Sequence, residues 1–264
     1  MSKITTYTQF ESYIKAFEKK KLNLLVMVSK GGLGKTYLVE ETLIEQAPLI
    51  ITGHITPLKL YKEVYEKTQE EKDFILVFDD VDALFQNKDV VALLKQLADT
   101  REEKIIRYFS TSPLLDDLPS SFETSCKVII LMNTLLVKDL NIQALMSRAH
   151  LLLFEPSNME ILKYMKTWAS DKVIIDFIKK FAPFSKELNL RTYMQAIELK
   201  ESGLDWKVDI INTLEIEERL YIIHSLLEKC KTDTERIEKF KEMGYGSRPT
   251  YFRYKKLLLN KLSK

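Results

Sequence analysis

The sequence predicts an α/β fold, a doubly wound parallel sheet followed by a purely helical part. Two observations predict it. Apolar strand-like runs alternate with helical stretches as far as Glu155, the order expected of a parallel sheet with helices on both faces. Beyond Glu155 only helical periodicity continues, with a break at Glu201-Ser202-Gly203. The expected domains are an N-terminal helix over 1–21, an α/β core over 22–155, a helical lid over 156–203 and a small basic helical domain over 204–264.

The elements follow in order. Phe10, Tyr13, Ile14 and Phe17 fall at i, i+3, i+4 and i+7, one face of an amphipathic helix. Leu24 to Val28 is an apolar strand, and Thr36 to Gln46 reads as a helix. Leu49 to Thr52 is a short strand, after which Thr56-Pro57 supplies an N-cap and a first-turn proline for a helix through Leu60, Tyr61, Val64 and Tyr65. Phe74 to Phe78 and Val128 to Met132 are uninterrupted apolar runs, as expected of strands buried on both faces. Val90 to Leu97 is helical and Ile105 to Ser110 strand-like. The segment 104–125 suits either an additional sheet strand or an inserted hairpin with Arg107 and Tyr108 as nucleic-acid contacts. Gly53-His54-Ile55-Thr56-Pro57 reads as a strand-to-helix turn or a nucleotide-adjacent loop. Ser157-Asn158-Met159-Glu160 is a capping box opening the helical part.

Composition narrows the class. With 264 residues, 45% hydrophobic and 30% charged, the chain is globular. Cys126 and Cys230 are far apart, and His54, His150 and His224 are scattered, so neither a disulfide framework nor a structural zinc site is expected. No apolar run approaches the ~20 residues that span a bilayer, and the start MSKITTYTQF has no signal-peptide core. The expected location is the cytoplasm, without membrane contact. The net charge of +2 hides an asymmetry. Residues 229–264 hold eleven Lys/Arg against four Asp/Glu, a balance of +7, which leaves the first 228 residues at −5.

The chemistry-bearing residues lie where strands end. Ser29-Lys30-Gly31-Gly32-Leu33-Gly34-Lys35-Thr36 joins the first long strand to a helix and matches G-x-x-x-x-G-K-[ST], except that Ser29 replaces the first glycine. Such a loop curls its N–H groups around a polyphosphate and adds a helix N-terminus. Gly31, Gly32, Leu33, Gly34, Lys35, Thr36 and Tyr37 are the expected nucleotide contacts, with Lys35 on the β- and γ-phosphates and the Thr36 hydroxyl on Mg²⁺. Strand 74–78 ends in Asp79-Asp80-Val81-Asp82. Asp79 is placed to hold Mg²⁺ and Asp80 to orient and deprotonate water. Strand 128–132 ends in Asn133, an amide suited to the lytic water or the γ-phosphate.

Read with Arg148 in Ser147-Arg148-Ala149 and Arg191 at the head of a helix, these pieces resemble the AAA+ ATPase family over roughly residues 22–200. The resemblance implies a P-loop ATPase core with a helical lid that uses ATP and Mg²⁺ and works as a homo-oligomer, a ring or helical assembly. It implies that Asp80, Asn133, Arg148 and Arg191 are catalytic, Arg148 as a finger into the neighbouring subunit's ATP and Arg191 as a lid cation. The family's usual Asp-Glu pair is Asp79-Asp80 here, which shortens the base by a methylene. The loop also looks like that of partition-type ATPases, in which Lys30 would act across a dimer; they lack the helical lid.

In the tail, helices over 216–227 and 234–243 and a turn at Gly244-Tyr245-Gly246 precede a helix from Ser247 through Leu262, packed through Tyr251, Tyr254 and Leu258. This is the order of a helix-turn-helix DNA reader. Arg248, Thr250, Arg253, Lys255 and Lys256 are the expected DNA contacts; a basic oligomerisation bundle is the other reading. Together these expectations describe an ATPase acting on DNA as a replication initiator, helicase or helicase loader, with a replication or recombination protein as partner. The alternative is an ATP-gated scaffold that recruits a protein and barely hydrolyses.

Overall fold

The computed structural model describes residues 1–19, 21–80, 85–109, 118–135 and 140–262. The chain divides into two compact units, Met1–Pro156 and Ser157–Lys264.

In the first unit the elements are β1 (Ser2–Ile4), α1 (Tyr7–Glu18), β2 (Leu24–Val28), α2 (Lys35–Thr42), β3 (Leu49–Thr52), α3 (Pro57–Glu70), β4 (Ile75–Asp79), α4 (Lys88–Leu97), β5 (Lys104–Arg107), β6 (Ser121–Thr124), β7 (Lys127–Met132), α5 (Leu140–Met146) and β8 (His150–Phe154). Six strands form one parallel sheet in the order β1-β8-β2-β7-β4-β3. Leu24, Val26, Val28, Leu76, Phe78, Val128 and Ile130 point to one face and pack with Leu60 and Val64 of α3, Leu93, Leu94 and Leu97 of α4, and Leu145 of α5. The alternate residues Leu25, Met27, Val77, Ile129 and Leu131 are equally buried on the other face. Burial on both faces is why β2, β4 and β7 read as continuous apolar runs.

Several elements differ from expectation. The first 21 residues hold a strand as well as a helix: β1 pairs with β8, and Tyr7 and Phe10 of α1 pack on Phe154 at ring separations of 5.1 and 5.3 Å. The helix after the loop ends at Thr42, followed by a 3-10 turn at Ile44–Gln46. The strand expected over 105–110 spans 104–107 and does not join the main sheet. It pairs antiparallel with β6 as a separate ribbon, and residues 110–117 between the two lie outside the described ones. Tyr108, expected on the nucleic-acid side, is half-buried with its ring 5.5 Å from Tyr61. Arg107 is exposed, and the side-chain amide of Gln96 closes its backbone N–H and C=O.

The second unit holds α6 (Asn158–Trp168), α7 (Lys172–Phe181), α8 (Arg191–Glu201), α9 (Trp206–Thr213), α10 (Glu218–Lys229), α11 (Asp233–Glu242) and α12 (Arg248–Leu262). Side chains of Ser157, Asp171, Asp205 and Thr232 cap α6, α7, α9 and α11, each satisfying N–H groups that a helix start leaves open. The chain turns from α8 to α9 at Gly203, whose φ of 73° favours glycine. Helices α10, α11 and α12 pack through Ile223, Phe240, Tyr251 and Leu258, all fully buried. Asp233 ties α11 to α12, accepting from Tyr251, Lys255 and Arg236, and these donors hold its carboxyl down at about 2, Lys255 contributing most.

Candidate nucleotide site and basic helix

Parallel pairing puts the C-terminal ends of β2, β7 and β4 side by side. Val28 is level with Met132 and Asp79 with Leu131. The Ser29 N–H donates to the Met132 carbonyl at 3.1 Å and extends the ladder into the loop. The loop then curls through Gly32 and Gly34, with φ of 77° and 76°, a conformation that a Cβ would strain. Ser29 has no such requirement, since its φ is not positive. A serine therefore takes the first position without backbone cost. Leu33 is buried, and its carbonyl accepts from the Tyr7 hydroxyl at 3.1 Å.

The side chains converge. Lys35 is buried, and its Nζ donates to the carbonyls of Ser29 (2.7 Å) and Lys30 (3.1 Å) and to Asn133 Oδ1 (3.0 Å). Thr36 Oγ1 donates to Asp79 Oδ2 at 2.7 Å. Asn133 Nδ2 donates to Asp80 Oδ1 at 2.8 Å. Because β7 lies between β2 and β4, Asn133 bridges the loop lysine and the second acid. Asp80 itself sits at φ 53°, a left-handed turn that carries its carboxylate out of the strand line. The structure thus joins Lys35, Thr36, Asp79, Asp80 and Asn133 in one cluster. Tyr37, also expected there, is half exposed on the first turn of α2. Val81 and Asp82 lie outside the described residues.

Among the described residues no group of three or more His, Cys, Asp or Glu could hold a metal alone. The Thr36 hydroxyl against the Asp79 carboxylate nevertheless fits Mg²⁺, which takes one or two protein oxygens and completes its shell with phosphates and water. The segment 53–57 is a strand-to-helix turn: Gly53 has φ 68°, and Thr56 Oγ1 caps α3.

Arg148 stands elsewhere in the unit. It precedes β8, is exposed, and donates to the Lys95 carbonyl at the end of α4 at 3.1 Å. Nearby Asp99 is held far below the usual carboxylate range, mainly by its bonds from Arg101, with Arg148 adding a smaller attraction. Since β8 runs parallel to β2, Arg148 lies at the opposite end of the sheet from the loop. Arg191 is exposed at the first position of α8, in the second unit.

On α12, Arg248, Arg253 and Lys256 are exposed, whereas Lys255 and Thr250 are half-buried. Lys255 Nζ donates to both Asp233 oxygens at 2.7 Å, so its charge is spent inside the chain. Thr250 Oγ1 lies 3.4 Å from Ser247 Oγ at the helix start. The two expected contacts Lys255 and Thr250 are thus turned toward the chain, and three cations remain outward.

Two features went unread in the sequence, the Tyr7 hydroxyl on the loop and the left-handed Asp80. Neither carries a sequence signal, because a tyrosine seven residues from the start and an aspartate after a strand are both ordinary.

No protein-family profile matches the chain, and no curated protein sequence matches it. Solved structures that resemble it include the Thermotoga maritima RuvB Holliday junction branch migration motor, at 15% identity over 84% of this chain and 74% of that one, with a TM-score of 0.46. Two single-substitution mutants of RuvB from the same organism are similar at 15% and 14% identity, covering 85% and 84% of this chain and 77% and 75% of theirs, with TM-scores of 0.48 and 0.47. A six-stranded parallel sheet carries the loop, a hydroxyl–carboxylate pair and a bridging amide at the C-terminal ends of its inner strands, and a helical unit follows in the chain.

Proposed function

We propose that this chain is an AAA+-type ATPase that hydrolyses ATP with Mg²⁺ in a homo-oligomer, a ring or helical assembly, and acts on DNA in the cytoplasm as an initiator, helicase or helicase loader. One observation carries the reading: at the ends of three adjacent strands Asn133 bridges Lys35 and Asp80, and beside them Thr36 bonds Asp79. Phosphoryl transfer asks the protein for positioning and charge more than for covalent chemistry. Gly31, Gly32, Leu33 and Gly34 would offer N–H groups to the phosphates, Lys35 its ammonium, and Thr36 with Asp79 would hold Mg²⁺, which neutralises phosphate charge when bound. Asp80, held by Asn133, would take the proton of the attacking water. Arg148 would complete a neighbour's site, as its place at the far end of the sheet favours. Arg191 would serve as a cation answering to the γ-phosphate; unchanged turnover in Arg191→Ala would remove that role. Among the described residues no helix is long and apolar enough to cross a membrane.

The DNA part of the reading is supported by the exposed cations Arg248, Arg253 and Lys256 on a helix that packs third in a three-helix group, as in helix-turn-helix readers. A replication or recombination protein is the expected partner. A second reading, an ATP-gated scaffold with slow turnover, is favoured by the short Asp80 side chain fixed on Asn133. ATPase rate and oligomer mass, measured together with and without single- and double-stranded DNA, separate the two. DNA-stimulated hydrolysis supports the first; tight ATP binding with assembly and negligible turnover supports the second. Absence of ATP binding refutes both.

A further inference from the structure

Phe252 is 40% exposed on α12, outside the buried face made by Tyr251, Tyr254 and Leu258. Its ring meets the Tyr251 ring edge-on at 5.3 Å, with the Arg248 guanidinium 5.8 Å and the Lys255 ammonium 6.0 Å from its centroid. Arg248, Phe252, Lys256 and Leu259 follow at i, i+4, i+8 and i+11, so they share one helix face, and all four are exposed. At 1.5 Å per residue that stripe is about 16 Å long. No acidic residue occurs from Ser247 to Lys264.

Phosphates alone do not call for an aromatic ring in such a stripe, because cations and N–H donors satisfy them. A helix built for a protein groove would present a continuous apolar row, whereas in this stripe Lys256 separates Phe252 from Leu259, and the exposed Leu257 lies on another side of the helix. A ring between positive charges suits a strand whose bases are unpaired, since every base offers a π-face for stacking and every linkage a phosphate. We propose that α12 binds single-stranded DNA, with Phe252 stacking on a base and Arg248 and Lys256 holding the flanking phosphates. This rests on the DNA reading above and deepens it by naming the substrate class.

The test uses the full chain, an oligothymidylate of about twenty nucleotides and a duplex of equal length, with binding followed by fluorescence anisotropy across a salt series. Phe252→Ala should weaken oligothymidylate binding about tenfold or more while leaving duplex affinity within about twofold and the salt slope unchanged. Phe252→Tyr should restore it. Arg248→Ala and Lys256→Ala should weaken binding to both and lower the salt slope by roughly 0.7 each on the single strand. Equal single-strand affinity in Phe252→Ala, or equal loss on both DNAs, overturns the inference, as does a wild-type protein that binds the duplex but not the single strand. In those cases the broader DNA reading stands. If the wild type binds neither oligonucleotide, both readings fail.

Discussion

The position of Arg148 makes a quantitative prediction about complementation between subunits. In the pairing of β2 with β8, Leu25 is level with His150 and Val28 with Leu153. Arg148 is therefore level with Asn23, and Ser29, where the loop begins, with Phe154. Six residues of strand separate the two levels, about 20 Å at ~3.3 Å per residue, far beyond the reach of one side chain. Within its own subunit Arg148 cannot touch a nucleotide held by Lys35. If it supplies transition-state charge at all, it does so in a neighbour, and such a finger is worth roughly 10³-fold or more in turnover. Arg148→Ala should then bind ATP normally and hydrolyse at most about a thousandth as fast. With Asp80 as the proposed base, Asp80→Asn should be equally slow while keeping its arginine. Mixed one to one, Arg148→Ala subunits contribute an intact acid and Asp80→Asn subunits an intact finger. With random placement in a head-to-tail assembly, about a quarter of the interfaces combine the two, so steady-state phosphate release should recover to about a quarter of wild type. A mixture no faster than its components refutes action in trans. So does wild-type turnover of Arg148→Ala at every protein concentration.

Three further predictions follow from the geometry. Lys35→Ala removes the ammonium held over the loop by three acceptors and should abolish ATP binding in calorimetry; normal affinity would exclude Lys35 from the site. Asn133→Ala releases Asp80 and should lower turnover about 10- to 100-fold, or roughly 1.4–3 kcal/mol in barrier, while nucleotide affinity changes only a few-fold; unchanged turnover would show that Asp80 needs no amide. Lys104 is fully buried, its Nζ donating to the Leu97 and Cys126 carbonyls, and burial lowers its pKa to about 8. The folded state therefore binds fewer protons than the unfolded chain between pH 8 and about 10.4. Its contribution to stability should rise with pH across that window, by roughly 3 kcal/mol in all, and be lost as pH falls toward 8. Urea unfolding of wild type and Lys104→Met should diverge over that range, and parallel pH curves would refute the linkage.

What the sequence made legible was whatever burial imposes on a run of residues. Strands β2, β4 and β7 announce themselves because both faces are covered, leaving no polar position in the run. The caps of α3 and α6 were equally plain, since Thr56 and Ser157 bond the third N–H onward as their spacing requires. Strand β1 is three residues, Ser-Lys-Ile, too short to show any period, and it exists because β8 offers an edge. The β5–β6 ribbon left the main sheet because its two strands pair with each other, a choice no local pattern encodes. On α12 the inner face is legible in the sequence, and its phase also decides which lysine turns inward. Tyr251 is buried, Lys255 follows at i+4, and that spacing turns Lys255 inward to Asp233 while Lys256 faces out. Adjacent lysines thus have different work.

The position of the short Asp80 side chain is set by its backbone turn and the bridging amide. A non-glycine residue in the left-handed region costs on the order of 1 kcal/mol, and Asp80 at φ 53° bears that strain. A hydrogen bond to a carboxylate contributes about 1.5–3 kcal/mol, so the 2.8 Å bond from Asn133 is sufficient to hold the strained turn. The same amide accepts from Lys35. Sheet order is what allows this, because only the strand between β2 and β4 can end within reach of both. The turned backbone, and not a longer side chain, sets where the Asp80 carboxylate stands, and Asn133 fixes that position relative to the lysine. Replacing Asp80 by glutamate would lengthen the acid while keeping the turn, pushing the carboxylate past the amide. Asp80→Glu should therefore lose turnover in this chain rather than gain it, and a faster Asp80→Glu enzyme in phosphate-release assays would show that the reach of the acid, and not its hold on the amide, limits the reaction.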